Sequence, residues 1–277
     1  MYKIIVDSTF GLEKEFIEKY SIKVVSLKLN LDNNIFDEAN HDEWPLLYEN
    51  MLKVKEFPKT SQPSPQDFEK AINDVLAEDK NAKILIFTLS HKLSGTYNCA
   101  KLCAGLYPDN EIVVIDTLLT TIVGKLAIEK IVELNEQNKS VEEIEEYIAK
   151  FRNALNVLIM PKDLIFLNRG GRLSNLSYAV ATAISIKPLI TLAYGQLKSL
   201  KNVIGVKKAL MEFAKLAKTP NTTTHLVEVH NSPYLEELTK MFNNMNINVK
   251  RIHKMDPVIG CHVGPGGIAM AVIEDFE

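Results

Sequence analysis

The run AKILIFTL, residues 82–89, is the feature that most limits what this chain can fold into. A strand with one wet face alternates apolar and polar residues. This one stays apolar from Ile84 to Phe87, so both of its faces must be covered. The stretches KIIV (3–6) and EIVVID (111–116) repeat the pattern, and 24–31 reads as a further strand. Helical spacing follows at 12–20, 96–106 and 119–137, and a charged helix at 141–152 closes the half. Continuous apolar strands separated by helices predict a parallel, Rossmann-like α/β sheet with helices on its faces.

From residue 155 the pattern changes. LNVLIM (155–160) is a strand, and the small apolar residues of 178–186 predict a helix that stops before Pro188. The segment 188–203 reads as two strands joined at Gly195-Gln196. Helix 207–218, strand 224–230, helix 233–244, strand 248–254 and a last strand, IAMAVIE, follow. A hairpin among interleaved helices predicts an α+β domain with a largely antiparallel sheet. The chain therefore divides into an N-terminal parallel α/β domain, 1–154, and a C-terminal α+β domain, 155–277. No low-complexity linker or internal repeat interrupts it.

Composition narrows the function. A net charge of −3 without a Lys/Arg cluster gives no pull toward nucleic acid or an anionic membrane. The opening MYKIIVDST has no charged region followed by a long apolar one, so no signal peptide is expected. The apolar stretch 179–193 is broken by Lys187-Pro188 and is too short to span a bilayer. Three cysteines make a poor disulfide framework and suit a reducing cytoplasm. Cys99 and Cys103 share a helix face, which suits core packing, and no zinc-binding motif is present.

Ligands of open α/β sheets sit beyond the carboxyl ends of the strands. Here those ends carry Asp7-Ser8-Thr9, the segment 90–96 and Asp116-Thr117, all rich in hydroxyls. In FPKTSQPSPQDFEKAI (57–72), Ser64 fits a helix N-cap, Pro65 the first helical position and Asp67 the third residue of a capping box. Thr60 and Ser61 are left over, either as solvent-facing hydroxyls or as anion ligands. In KLSGTY, Ser94 is either an N-cap or an anion ligand. Gly95 would admit a ligand to the backbone, and Thr96 opens the helix.

The stretch DPVIGCHVGPGGIAM brackets His262 with glycines in what reads as a loop, where Gly264, Gly266 and Gly267 would form a nest of N–H donors. The other histidines (His41, His91, His225, His230, His253) read as surface or core residues. In NRGGRLS, Gly170-Gly171 marks a tight turn into a helix capped near Ser174, and Arg172 serves either an anion or a structural ion pair. Ser94, His262 and Asp7 or Asp116 would make a hydrolase triad on paper, but the Gly-x-Ser-x-Gly elbow is absent. A phosphate-binding loop and a dinucleotide fingerprint are missing too. The chain has the means to hold something acidic and little with which to transform it.

Taken in order, Thr60-Ser61-Gln62-Pro63-Ser64, Leu93-Ser94-Gly95-Thr96-Tyr97, Gly170-Gly171-Arg172-Leu173-Ser174 and Gly260-Cys261-His262-Val263-Gly264-Pro265-Gly266 resemble the DegV family, as does the opening Val6-Asp7-Ser8. The resemblance covers essentially the whole chain. It implies a two-domain protein that binds one long-chain fatty acid between its domains and needs no metal or other cofactor. It further implies a non-enzymatic role as the binding subunit of a bacterial fatty acid kinase. There, a separate ATP-dependent subunit phosphorylates the bound acid, and the acyl phosphate passes to an acyltransferase of phospholipid synthesis.

Carried over by motif, Thr60, Ser61, Ser94, Gly95, Thr96 and His262 would surround the carboxylate. Arg172, Gly264 and Gly266 would lie near the head group. The helix 178–186, through Ala179, Thr182, Ala183 and Ile186, is a candidate tunnel wall or plain core. Burying about fourteen methylenes at about 0.8 kcal/mol each gains roughly 11 kcal/mol before association costs. Where the family commonly has Lys-x-Arg-Gly, with the arginine associated with kinase docking, this chain has Ile204 preceded by Asn202. Lys201, Lys207 and Lys208 offer a substitute basic surface. The alternatives are a kinase-independent fatty acid carrier, store or sensor, and, from another class, a Ser/His esterase or acyltransferase. A monomer is the default oligomeric state.

Overall fold

The computed structural model describes residues 1–53, 56–162, 164–172 and 186–276. It contains two compact units. The first comprises Met1–Trp44 and Pro58–Ala149, and the second Pro45–Phe57 and Lys150–Glu277.

In the first unit, β1 (Lys3–Asp7) leads through a short 3-10 turn to α1 (Lys14–Lys19) and β2 (Lys23–Val25). Strands β3 (Lys28–Leu31) and β4 (Asn34–Asp37) follow, and α2 (Trp44–Met51) carries the chain into the second unit. The chain returns at β5 (Lys59–Ser61), followed by α3 (Pro65–Glu78), β6 (Ile84–Thr88), α4 (Thr96–Ala104), β7 (Ile112–Asp116) and α5 (Thr121–Glu136).

The main sheet runs β2-β1-β6-β7, and every pairing in it is parallel. Central β6 is buried along its whole length, as its unbroken apolar sequence requires. Helix α3 buries Phe68, Ala71, Ile72 and Val75 against that sheet, the i, i+3, i+4, i+7 stripe of an amphipathic helix. Its start is the expected capping box, with Ser64 and Asp67 each bonded to the other's backbone N–H.

The single strand expected over 24–31 is two. β2 pairs in the parallel sheet, whereas β3 turns away to pair antiparallel with β4 and β5. The break falls at Ser26-Leu27, where the Ser8 hydroxyl accepts the Leu27 N–H and the Ser26 hydroxyl accepts the Glu38 N–H. The small sheet went unread in the sequence, although Asp32 and Asn33 at the β3–β4 turn, with φ 47° and 67°, are a usual hairpin pair.

In the second unit, α6 (Val141–Ala154) leads into β8 (Leu155–Met160), α7 (Ile165–Gly170), β9 (Ile186–Ala193) and β10 (Gln196–Ile204). Then come α8 (Val206–Ala217), β11 (Thr222–Glu228), α9 (Leu235–Asn244), β12 (Arg251–Lys254), α10 (Pro257–Val263) and β13 (Ile268–Glu274). The six strands lie in the order β10-β9-β8-β13-β11-β12, antiparallel except for β11–β12. Helices α8 and α9 pack on this sheet through Leu210, Phe213, Leu238 and Phe242.

The fold is thus mixed α/β, with a parallel sheet in one unit and a largely antiparallel sheet in the other. Ile186, expected at the end of a helix, instead begins β9 opposite Ile204. Ala179, Thr182, Ala183 and the helix cap expected near Ser174 lie outside the described residues.

The Ser64→Ala variant tests the start of α3. It is expected to lose about 1 kcal/mol of stability, read as a lower urea midpoint with an unchanged slope.

Candidate functional site

The hydroxyl-rich segments of the first unit are held by carboxylates at the strand ends. Asp7, the last residue of β1, is fully buried. It accepts the Leu89 N–H at 2.6 Å, the Thr9 N–H at 3.0 Å and the Thr9 hydroxyl at 2.6 Å. Burial pushes its pKa up to about 7, against the downward pull of these three donors. One side chain therefore joins the exits of two adjacent parallel strands.

At the end of β7, Asp116 accepts the N–H groups of His91 and Leu118, both at 3.2 Å, and pairs with the His91 ring. The Ser90 carbonyl then takes the Leu93 and Ser94 N–H groups at 3.0 and 3.2 Å. The loop that carries Ser94 is therefore anchored at several points.

Ser94 is not the N-cap of α4; that position falls to Gly95, with no side-chain cap bond. The Ser94 hydroxyl lies 2.8 Å from that of Thr96, which is itself fully buried. Gln62 rests its side-chain amide on Gly95, in the space that any Cβ there would occupy. The Cys99 and Cys103 thiols reach the Pro63 and Pro65 carbonyls, each at 3.5 Å. The stretch that follows Thr60-Ser61 therefore runs along α4, and two motifs separate in sequence become neighbours. Thr60 is half-buried in β5 and Ser61 is exposed. Gln62, overlooked in the sequence, is the residue that joins them, and Gly95 was the available signal.

His262 belongs to the second unit and sits on a helix, not in the expected loop. Asp256 caps α10 by accepting the Ile259 N–H at 2.8 Å, Pro257 takes the first helical position, and Gly264 ends the helix at φ 93°. The expected nest is not formed, because its N–H groups are already used. Gly264 donates to the Gly260 carbonyl, Gly266 to those of Val229 and His230, and Gly267 to that of Gly264. These glycines serve close packing instead: a Cβ on Gly264 would stand 2.7 Å from the Phe166 ring.

The His262 imidazole is buried and lies against Gly170, where a side chain would displace it. Burial, and then the positive charge of Arg172, lower its pKa to about 4. It is therefore neutral at pH 7 and can donate one hydrogen bond to an anion. Arg172 is exposed and donates to the Gly170 carbonyl at 2.6 Å.

Among the described residues there is no group of three or more His, Cys, Asp and Glu side chains fit to hold a metal. No helix among them is long and apolar enough to cross a membrane.

These pKa shifts set a pH dependence. His225, buried against His253 at 3.0 Å, is lowered to about 4 by burial and then by Lys250 and Arg251. Both His225 and His262 stay neutral in the folded protein down to about pH 4, whereas unfolded histidine takes up a proton near 6.5. Their contribution is present above pH 6.5 and is lost as pH falls toward 4. Asp7 acts with the opposite sign, adding stability as pH falls from about 7 toward 3.8. Urea titrations at pH 7 and 4.5 are expected to show a His262→Leu variant losing less stability than wild type over that interval, by on the order of 2 kcal/mol.

Comparisons with known proteins identify the family. A family model described as "Uncharacterised protein, DegV family" matches residues 1–275. A DegV domain-containing protein of Clostridium perfringens is 29% identical over 278 residues, covering 99% of each chain. A Thermotoga maritima protein named as a fatty acid-binding protein is 29% identical over 280 residues, covering 98% of this chain and 96% of its own. Among solved structures, a DegV family protein from Thermus thermophilus, described for its fatty acid binding, aligns with a TM-score of 0.84 at 26% identity over 99% of both chains. A DegV lipid binding protein from Thermotoga maritima aligns at 0.82 and 28%, covering 99% of this chain and 98% of its own. With a family model that spans both units, the chain belongs to the DegV family.

Proposed function

We propose that this protein binds a single long-chain fatty acid and receives its carboxylate with Thr60, Ser61, Ser94, Gly95, Thr96 and His262. The observation that carries the reading is the meeting of the Thr60-Ser61 and Ser94-Gly95-Thr96 segments across Gln62 and Gly95. Relatives of matching length described as fatty acid or lipid binding support it.

The chemistry is consistent. A carboxylate leaving water loses several kcal/mol of solvation unless donors replace it. Small hydroxyls, the N–H groups opening α4 and a neutral imidazole can supply those donors without adding a buried charge. On this reading Arg172, Gly264 and Gly266 lie near the head group. The protein acts in the cytoplasm, as a monomer, and presents the acid to a separate ATP-dependent kinase subunit. The resulting acyl phosphate is then consumed by an acyltransferase of phospholipid synthesis.

A second reading, a carrier, store or sensor without a kinase, is favoured by Ile204. It is an exposed apolar residue at the end of β10, where the family arginine is expected. Lys201, one of the basic residues expected to substitute, is paired with Glu212.

Native mass spectrometry of the purified protein is expected to find one fatty acid per chain, lost in a Thr60→Ala/His262→Ala double variant. A wild-type protein that is empty and takes up no added fatty acid would overturn the proposal. Acyl phosphate, trapped with hydroxylamine when the loaded protein meets the ATP-dependent subunit of a fatty acid kinase and ATP, separates the two readings. The kinase role requires that product, and the carrier role predicts none.

A further inference from the structure

Helix α2 joins the second unit from Pro45 onward, and its Tyr48 is buried there. The Tyr48 hydroxyl lies 3.0 Å from both the Met255 and the Asp256 carbonyls, so its one proton is shared between them. Its ring stacks on His230, with centroids 5.0 Å apart and planes within 7°. The phenol also fills the space beside Gly260, leaving no room there for a Cβ.

All of these contacts except the stacking fall on the first half of α10 or on the residues that start it. Asp256 is the N-cap, and its carbonyl takes the Gly260 N–H at 2.8 Å. Met255 is held from the other side by the bond from its N–H to the Glu228 carbonyl at 2.9 Å. A helix of seven residues is too short to hold its own shape, so its orientation depends on what grips it. Gly260 and His262 are two residues apart, roughly 200° around the helix. The phenol therefore packs on a different face from the imidazole, which rests on Gly170 of α7. Tyr48 and α7 hold α10 from two directions.

We infer that Tyr48 is a positioning residue for the fatty-acid head group. By holding the start of α10, it sets where His262 presents its imidazole. This rests on the carboxylate role proposed for His262.

The test is a double-mutant cycle on fatty acid affinity, measured by displacement of a fluorescent fatty acid from wild type, Tyr48→Phe, His262→Ala and the double variant. Tyr48→Phe keeps the ring and its stacking and removes only the hydroxyl. It is expected to weaken binding about tenfold, the size of one lost hydrogen bond. In the His262→Ala background the same change is expected to cost less than about twofold, because coupled residues are not additive. The ¹⁵N shifts of the His262 ring in the ligand-free protein are expected to move in Tyr48→Phe, a readout that does not depend on stability.

An equal loss in both backgrounds would make Tyr48 a general packing residue and overturn the inference. So would unchanged affinity, or unchanged ring shifts, in Tyr48→Phe. If His262→Ala binds as wild type does, the carboxylate role of His262 fails first and takes this inference with it. That result is distinct from one in which only the Tyr48 variant is silent.

Discussion

The buried Asp7 carboxylate is the interaction on which the hydroxyl-bearing end of the first unit depends. A carboxylate removed from water is costly, and here three donors from two strand exits offset part of that cost, leaving its pKa raised to about 7. The same bonds tie Thr9 and Leu89 together, and Leu89 begins the loop to Ser94. Asp116 repeats the device one strand over, on His91 and Leu118. Parallel strands end in backbone groups without strand partners. Placing an acceptor at each exit both satisfies those groups and fixes the loops that any ligand would meet.

A second device recurs in both units: glycine where two side chains would otherwise compete for one space. Gly95 admits Gln62, Gly170 admits His262, and Gly260 admits Tyr48. At none of the three is φ positive, so backbone freedom is not the reason for glycine. The reason is the missing Cβ. Each glycine brings a polar side chain against a backbone at a distance that alanine would forbid. Gly264 and Gly266 differ, since both combine a positive φ with close neighbours, Phe166 and Lys162.

The elements were largely legible in advance. Strands β6 and β8 follow directly from their unbroken apolar runs, and the Ser64-Pro65-Gln66-Asp67 start of α3 forms as read. The misreadings have specific causes. Gly260 and Gly264 disguised α10 as a loop, although Asp256-Pro257 was a usable start signal. The pairing of β3 away from β2 was hidden because one apolar run served two sheets. His91 gave no local sign of its pairing with Asp116, twenty-five residues away.

By itself the sequence determined where the strands of the two large sheets and most of their flanking helices run, though not α2, α7, α10 or the small sheet, and which residue types could hold an anion. Periodicity, caps and turn preferences act within a few residues, so they can be read locally. Only the tertiary structure decided that Pro45–Phe57 belongs with the second unit, that Gln62 meets Gly95, and that Tyr48 grips the N-cap of a helix 208 positions further on. Such meetings depend on how packed elements bring distant side chains to the same few ångströms. No local pattern encodes that distance.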